Sequence, residues 1–227
     1  MANWCKTEYT FTGDRKSLEG IYALMHGLED TEVSEEENDF GTSWLGRLAM
    51  ALGRDWQTIK CRGSWEDICL SDGTLTFTTW TAWQPPYELM ELLKLKYPGV
   101  EYFYFGEEPG NGFFETNDKE GRFYPVRYVA YYDNGEEEHM FRGATTEEML
   151  DCINRLSDKN FKNIEEANSY YQNLSETDDN SIFCHINGVS VIETNEALTL
   201  YFDEAGKGRL VRPDGTVVAV AELKIKS

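Results

Sequence analysis

Hydrophobic positions along the first half of the chain switch between two spacings, and each switch marks an element. Residues 3–12 (NWCKTEYTFT) are rich in aromatic and β-branched side chains and stop at Gly13-Asp14, which predicts a strand. Asp14 then caps a segment in which Leu18, Ile21, Tyr22, Met25 and Leu28 recur at helical spacing, so an amphipathic helix is expected as far as Gly27. Residues 29–39 carry seven acids and no base, the pattern of a solvated loop. A short apolar stretch over 44–52 predicts a small inserted helix. From residue 57 the pattern turns to strand, in QTIKC (57–61), SWEDICL (64–70) and TLTFTTWT (74–81), with Ser71-Asp72-Gly73 as a hairpin turn. Proline is tolerated in a first helical turn and excluded from the interior, so Pro86 suits the start of YELMELLKLKY (87–97), which must end before Pro98-Gly99. Residues 100–105 (VEYFYF) return to strand.

The order strand, helix, strand, strand, helix, strand predicts an α+β fold. It is the split βαβ pattern of the ferredoxin-like topology, an antiparallel sheet with two helices on one face. The second half predicts an α+β extension. Phe113-Phe114 and 122–133 (RFYPVRYVAYYD) read as strands, with Asn134-Gly135 as a turn. Thr145 and Glu148 form a capping box ahead of an apolar stripe at Met149, Cys152, Ile153 and Leu156. A second helix is expected over 163–174, with Ile164, Ala167, Tyr171 and Leu174 inward, followed by a tail of strands in SIFCHI, VSVIE, ALTLYF, GRLV and TVVAVAELKIK, the last after a Pro213-Asp214-Gly215 turn. The turn-rich GEEPGNG at 106–112 places the boundary close behind it, giving domains 1–117 and 118–227.

Charge removes several classes of partner. With 21 Lys+Arg against 41 Asp+Glu the formal charge is −20. Nucleic acid is excluded as a direct partner, because its affinity comes from cations neutralising phosphates, and anionic membrane is disfavoured for the same reason. No stretch reaches the ~18–20 apolar residues that span a bilayer, and MANWCKTEYT lacks a basic and apolar leader, so a cytoplasmic protein is expected. The five cysteines, Cys5, Cys61, Cys69, Cys152 and Cys184, include no CxxC pair, and free thiols with no metal or other cofactor are the expectation.

Four blocks in order resemble the YubB-type ferredoxin-like domain proteins of conjugative plasmids and phages: MANWCKTEYTFTG at the start, FGTSW at 40–44, FTTWTAWQPP at 77–86 and YPGVEYFYFGEEPGNGFF at 97–114. They span about the first half. The family's opening reads Asn-Trp-Cys-x-Asn, with Thr7 here at the second Asn, and its Trp-Gly-Thr-Lys-Trp block stands here as Phe40-Gly41-Thr42-Ser43-Trp44. The resemblance implies the ferredoxin-like fold and a setting on mobile elements, and it implies no activity.

The candidate site residues come from these blocks. Trp4, Trp44, Trp80 and Trp83, with Pro85 and Pro86, form either core packing, the ordinary use of aromatics, or a groove for a ligand or peptide. Glu107, Glu108 and Asn111, among Gly106, Gly110 and Gly112, form either a solvated turn or paired acids able to share a proton or bind a cation. Cys184-His185 is no dyad, since successive strand side chains point to opposite faces. Cys5 with His26, or Cys152 with His139, would need a tertiary encounter. Gly110-x-Gly112 and Gly206-x-Gly208 complete no nucleotide-binding loop, and no HExxH or GxSxG occurs. The expectation is a non-enzymatic, acidic protein-interaction module whose protein partner presents a basic surface. A decoy imitating the charge of DNA and a small-molecule enzyme are the alternatives.

Overall fold

The computed structural model describes residues 3–31, 39–177, 182–192, 199–202, 207–211 and 217–222. Most of the 29–39 acidic stretch, the Pro213-Asp214-Gly215 turn and Gly206 lie outside the described residues.

The chain opens with β1 (Trp4–Gly13) and α1 (Arg15–Glu29), whose first turn is capped by Asp14 accepting from the Ser17 N–H at 3.0 Å. A 3-10 turn at Gly41–Ser43 leads into α2 (Leu45–Ala51), the small inserted helix. The predicted QTIKC strand is absent. Trp56–Thr58 is a 3-10 turn capped by Asp55, and Ile59 and Cys61 are buried from a loop. β2 (Gly63–Ser71) and β3 (Thr74–Ala82) form the expected hairpin, with Asp72 and Gly73 at φ +51° and +76°, the left-handed pair that a tight two-residue turn requires. α3 (Tyr87–Lys96) and β4 (Val100–Glu108) complete the unit.

β1 lies at the centre, antiparallel to β3 on one side and β4 on the other, and Tyr9 stands opposite both Phe77 and Tyr104. The sheet runs β2-β3-β1-β4 and continues into β5 (Phe113–Thr116) and β9 (Ser190–Val191). The β5–β9 pairing is parallel, so the six-stranded sheet is mixed. Alternation puts Tyr9, Phe11, Leu75, Phe77, Tyr102 and Tyr104 on one face, where α1 adds Leu18, Ile21 and Met25 and α3 adds Leu89, Met90 and Leu93 to a single core. Both helices therefore cover the same face. Ring pairs such as Tyr9–Phe77 at 5.2 Å and Phe11–Tyr102 at 5.4 Å bind the strands beneath them.

The second half builds its own sheet from β6 (Tyr128–Asp133), β7 (Glu138–Gly143) and β8 (Phe183–Gly188), in the order β7-β6-β8. α4 (Thr146–Ser157) and α5 (Ile164–Thr177) pack on one face of it through Met149, Leu150, Ile153, Ala167 and Tyr171. Thr145 caps α4 as expected, with the Glu148 N–H on Thr145 Oγ1 at 3.2 Å, while the Glu148 carboxylate reaches back one residue further and accepts from the Ala144 N–H at 2.8 Å; Leu150 rather than Cys152 or Leu156 fills the third buried place on α4. The opposite face meets the first sheet through Phe105, Phe114 and Val129. A third sheet joins β10 (Thr199–Phe202), β11 (Lys207–Val211) and β12 (Val217–Glu222). The described residues thus form an α+β fold with five α-helices.

Residues 122–127 are not strand, because Asp118 captures the backbone N–H groups of Arg122, Phe123 and Tyr124 at 2.6–3.0 Å and Pro125 cannot pair. Asn117 meanwhile takes the place of a neighbouring strand for β4, accepting from the Tyr104 N–H and donating to the Tyr102 carbonyl.

Candidate functional site

The tryptophans divide. Past Ala82 the chain leaves the sheet at Trp83, whose φ of +74° is left-handed and whose side chain is 53% exposed. Its N–H donates to the Asn3 carbonyl at 2.9 Å, and Thr81 Oγ1 donates to the Gln84 carbonyl at 2.7 Å, so the bend is fixed from both sides before Pro85-Pro86. A bulky residue held in this conformation stores of the order of 1–3 kcal/mol, and such strain concentrates at functional sites. Trp44 is buried, pairs with Ser64 through an isolated bridge and meets Trp56 edge-on at 5.0 Å. α2 presses against its ring at Gly46, where any Cβ would lie 2.3 Å from the indole. Phe40, Trp44, Trp56 and Trp83 line one cleft of about 690 Å³, together with Lys60 and Arg62. Trp4 does not line it but meets Phe40 edge-on at 5.9 Å and stands opposite Ala82, and Trp80 is outside it, donating its indole N–H to Glu66 at 2.6 Å.

Glu107 and Glu108 form no solvated turn. They end β4 and are buried, because each finds partners at the strand end. Being successive strand residues, they face opposite sides and share neither proton nor cation. Glu108 caps the following 3-10 turn, accepting from the Gly110 and Asn111 N–H groups at 2.9 and 3.0 Å. Glu107 accepts from Arg142 at 2.7 Å, and that guanidinium also lies 4.8 Å over the Phe105 ring and 3.5 Å from Glu8. Arg142 comes from β7, so this pair ties the two sheets together. Among the described residues no three His, Cys, Asp or Glu side chains are placed to hold a metal ion.

Asn111 lies at a second cleft, of about 620 Å³, also lined by Tyr131, Asp133, Glu138, Phe183 and His185. Strand pairing assembles it. Tyr131 stands opposite Met140 and His185, and Asp133 opposite Glu138 and Phe183, all on the face of the β7-β6-β8 sheet away from α4 and α5, the face that meets the first sheet. Phe183 is 52% exposed and Met140 45%, so the cleft adjoins an apolar patch rimmed by carboxylates. Burial, and then the nearby Glu107 charge, push the Tyr131 phenol up to about 12, with Arg142 opposing and Glu138 adding to the rise. The sequence reading missed this cleft because it missed β7. The signal was there: in EHMFRG, Met140 and Arg142 alternate with His139 and Phe141 directly after the Asn134-Gly135 turn.

Sequence reasoning also missed Glu115. It is buried on β5 and accepts from Tyr87 at 2.7 Å and from Tyr104, joining α3 to the sheet. Burial, followed by this carboxylate, holds both phenols far above their ordinary range. The cysteines are inert or isolated. Burial raises the Cys5 and Cys61 thiols to about 11 and Cys184 to about 12. Cys184 lies in the second core while His185 faces the second cleft, and His26 and His139 bond Asp30 and Glu137, each at 3.1 Å.

Comparison with known proteins finds no matching family model, no similar curated protein and no similar solved structure.

Proposed function

We propose that the chain is a non-enzymatic interaction module that receives a basic segment of a partner protein at the cleft of Asn111, Tyr131, Asp133, Glu138 and Phe183. The observation that carries this reading is the register that sets Asp133 between Glu138 and the exposed Phe183, with the exposed Met140 beside them opposite Tyr131, on one sheet face. An arginine or lysine stem lays its methylenes on apolar surface while its head reaches a carboxylate, and this face offers both. Glu136 and Glu137 extend the acidic rim beside it. The −20 charge steers a cationic partner inward over the same range in which it repels nucleic acid. In the aromatic cleft burial holds the Cys61 thiol protonated, which supports binding over nucleophilic chemistry. The β2-β3-β1-β4 order with α1 and α3 on one face supports a ferredoxin-like reading of the first half, and its residue blocks add the mobile-element setting.

Fluorescence anisotropy of a short labelled peptide of alternating arginine and leucine tests the proposal. Binding is expected to weaken with salt and to fall severalfold in a Glu136→Lys, Glu137→Lys, Glu138→Lys variant. The same reversal at Glu147, Asp151 and Glu165, exposed acids of α4 and α5, leaves most of the affinity in place. Equal losses in the two variants would reduce the effect to net charge and end the site assignment.

A further inference from the structure

The aromatic cleft is independent of the acidic one, and its chemistry is of the opposite sign. Lys60 and Arg62 are exposed at its rim and make no ion pair among the described residues, although the chain carries twenty more acids than bases. One carboxylate, Asp39, lines the cleft with them, on the segment that carries Phe40. Its lining therefore carries one cation more than it carries carboxylates, over a wall of Phe40, Trp44, Trp56 and Trp83, with Glu88 close to Cys61 behind it. Trp83 is the side chain that folding alone does not account for. Its backbone is strained and half its surface meets water, whereas a tryptophan kept only for the core would be buried in an ordinary conformation.

We propose that this cleft binds a small molecule that joins a flat aromatic ring system to a single anionic group. A volume of about 690 Å³ falls within the ~300–1,000 Å³ of small-molecule sites. The rings supply stacking faces, and Lys60 and Arg62 supply the counter-charge that orients the ligand. Size enters through electrostatics. A single anion at the rim sees the two cations within a Debye length of ~8–10 Å, while a long polyanion meets the acidic surface beyond them. A second copy of the chain, also at −20, is repelled in the same way.

Three naphthalenes of one shape separate ring from charge: 1-naphthaleneacetate, the neutral 1-naphthaleneacetamide and the cationic 1-naphthylmethylamine, each titrated calorimetrically into the full chain. The acetate is expected to bind at least tenfold more tightly than the amide, and the amine more weakly still. Arg62→Glu, a change at an exposed side chain, and Trp83→Ala each lower acetate affinity at least tenfold, while Trp80→Ala leaves it unchanged. Amine binding that equals that of the acetate and is lost with it in Trp83→Ala, acetate binding untouched by Trp83→Ala, or no binding of the acetate would overturn the proposal, whereas amine binding that survives Trp83→Ala belongs to the acidic cleft and leaves the acetate result to decide. None of the overturning outcomes bears on the basic-peptide test, which reads the other cleft.

Discussion

Replacing Trp83 by glycine and, separately, by alanine isolates the backbone from the ring. Both changes delete the same indole, and with 53% of the residue exposed about half its surface is lost from contact. Taking ~200 Å² for a buried tryptophan, that is roughly 100 Å², or about 2.5 kcal/mol as an upper figure. This loss is common to the pair and cancels between them. What remains is the φ of +74°. A Cβ in the left-handed region costs about 1–2 kcal/mol, which glycine escapes, while the extra freedom of glycine in the unfolded chain costs it about 0.5–1 kcal/mol. Glycine is therefore expected to be the more stable by about 0.5–1 kcal/mol, the reverse of its rank in helices and strands. For a chain of this size that is a Tm about 1–4 °C above the alanine variant. Urea denaturation and thermal melting of the two proteins side by side give the difference directly. An alanine variant as stable as the glycine one would refute the strained bend, and with it the argument that Trp83 is kept for something other than packing.

Other consequences are equally open to measurement. Arg142→Met leaves Glu107 buried without its partner and should lower unfolding stability in urea by about 3–5 kcal/mol, of which Glu107→Gln in the same chain restores a large part; equal stability of single and double variants would contradict the inter-sheet tie. For Asp118, burial alone would raise the carboxyl, but the N–H groups of Tyr124, Phe123 and Arg122, with Arg127, hold it below its ordinary value. A depressed folded pKa gives stability that is present above the unfolded value of ~3.9 and lost as pH falls through the lower folded one, so Asp118→Asn should flatten the acid limb of a stability–pH curve. Iodoacetamide at neutral pH should label the exposed Cys69 first, with the raised thiols of Cys5, Cys61 and Cys184 reacting only on unfolding, as mass spectrometry of the labelled chain reports.

Local pattern was enough wherever a face is apolar along its own element. Leu18, Ile21 and Met25 are buried on α1 at the spacing read from the sequence, and Leu75 and Phe77 alternate inward on β3 with Thr79 and Thr81 behind them. Pattern failed where a tertiary partner decides. QTIKC alternates like a strand, yet Ile59 and Cys61 reach the core from a loop held by the Asp55 cap. Residues 122–127 look extended, yet their N–H groups belong to Asp118. Glu107 reads as solvated because its cation stands 35 positions away on β7. Three of the four tryptophans singled out bear on one cleft, Trp44 and Trp83 directly and Trp4 through Phe40. Trp56, which shares that cleft, belongs to none of the blocks that drew attention to them, and the acidic cleft depended on a strand that sequence reading passed over.

The most direct test of the interaction-module account is a chemical-shift map of the full chain titrated with the arginine–leucine peptide. The account predicts perturbations centred on Asn111, Tyr131, Asp133, Glu138, Phe183 and His185, with little change along α4 and α5. Perturbations spread evenly over the acidic surface, with no maximum at this cleft, would contradict it.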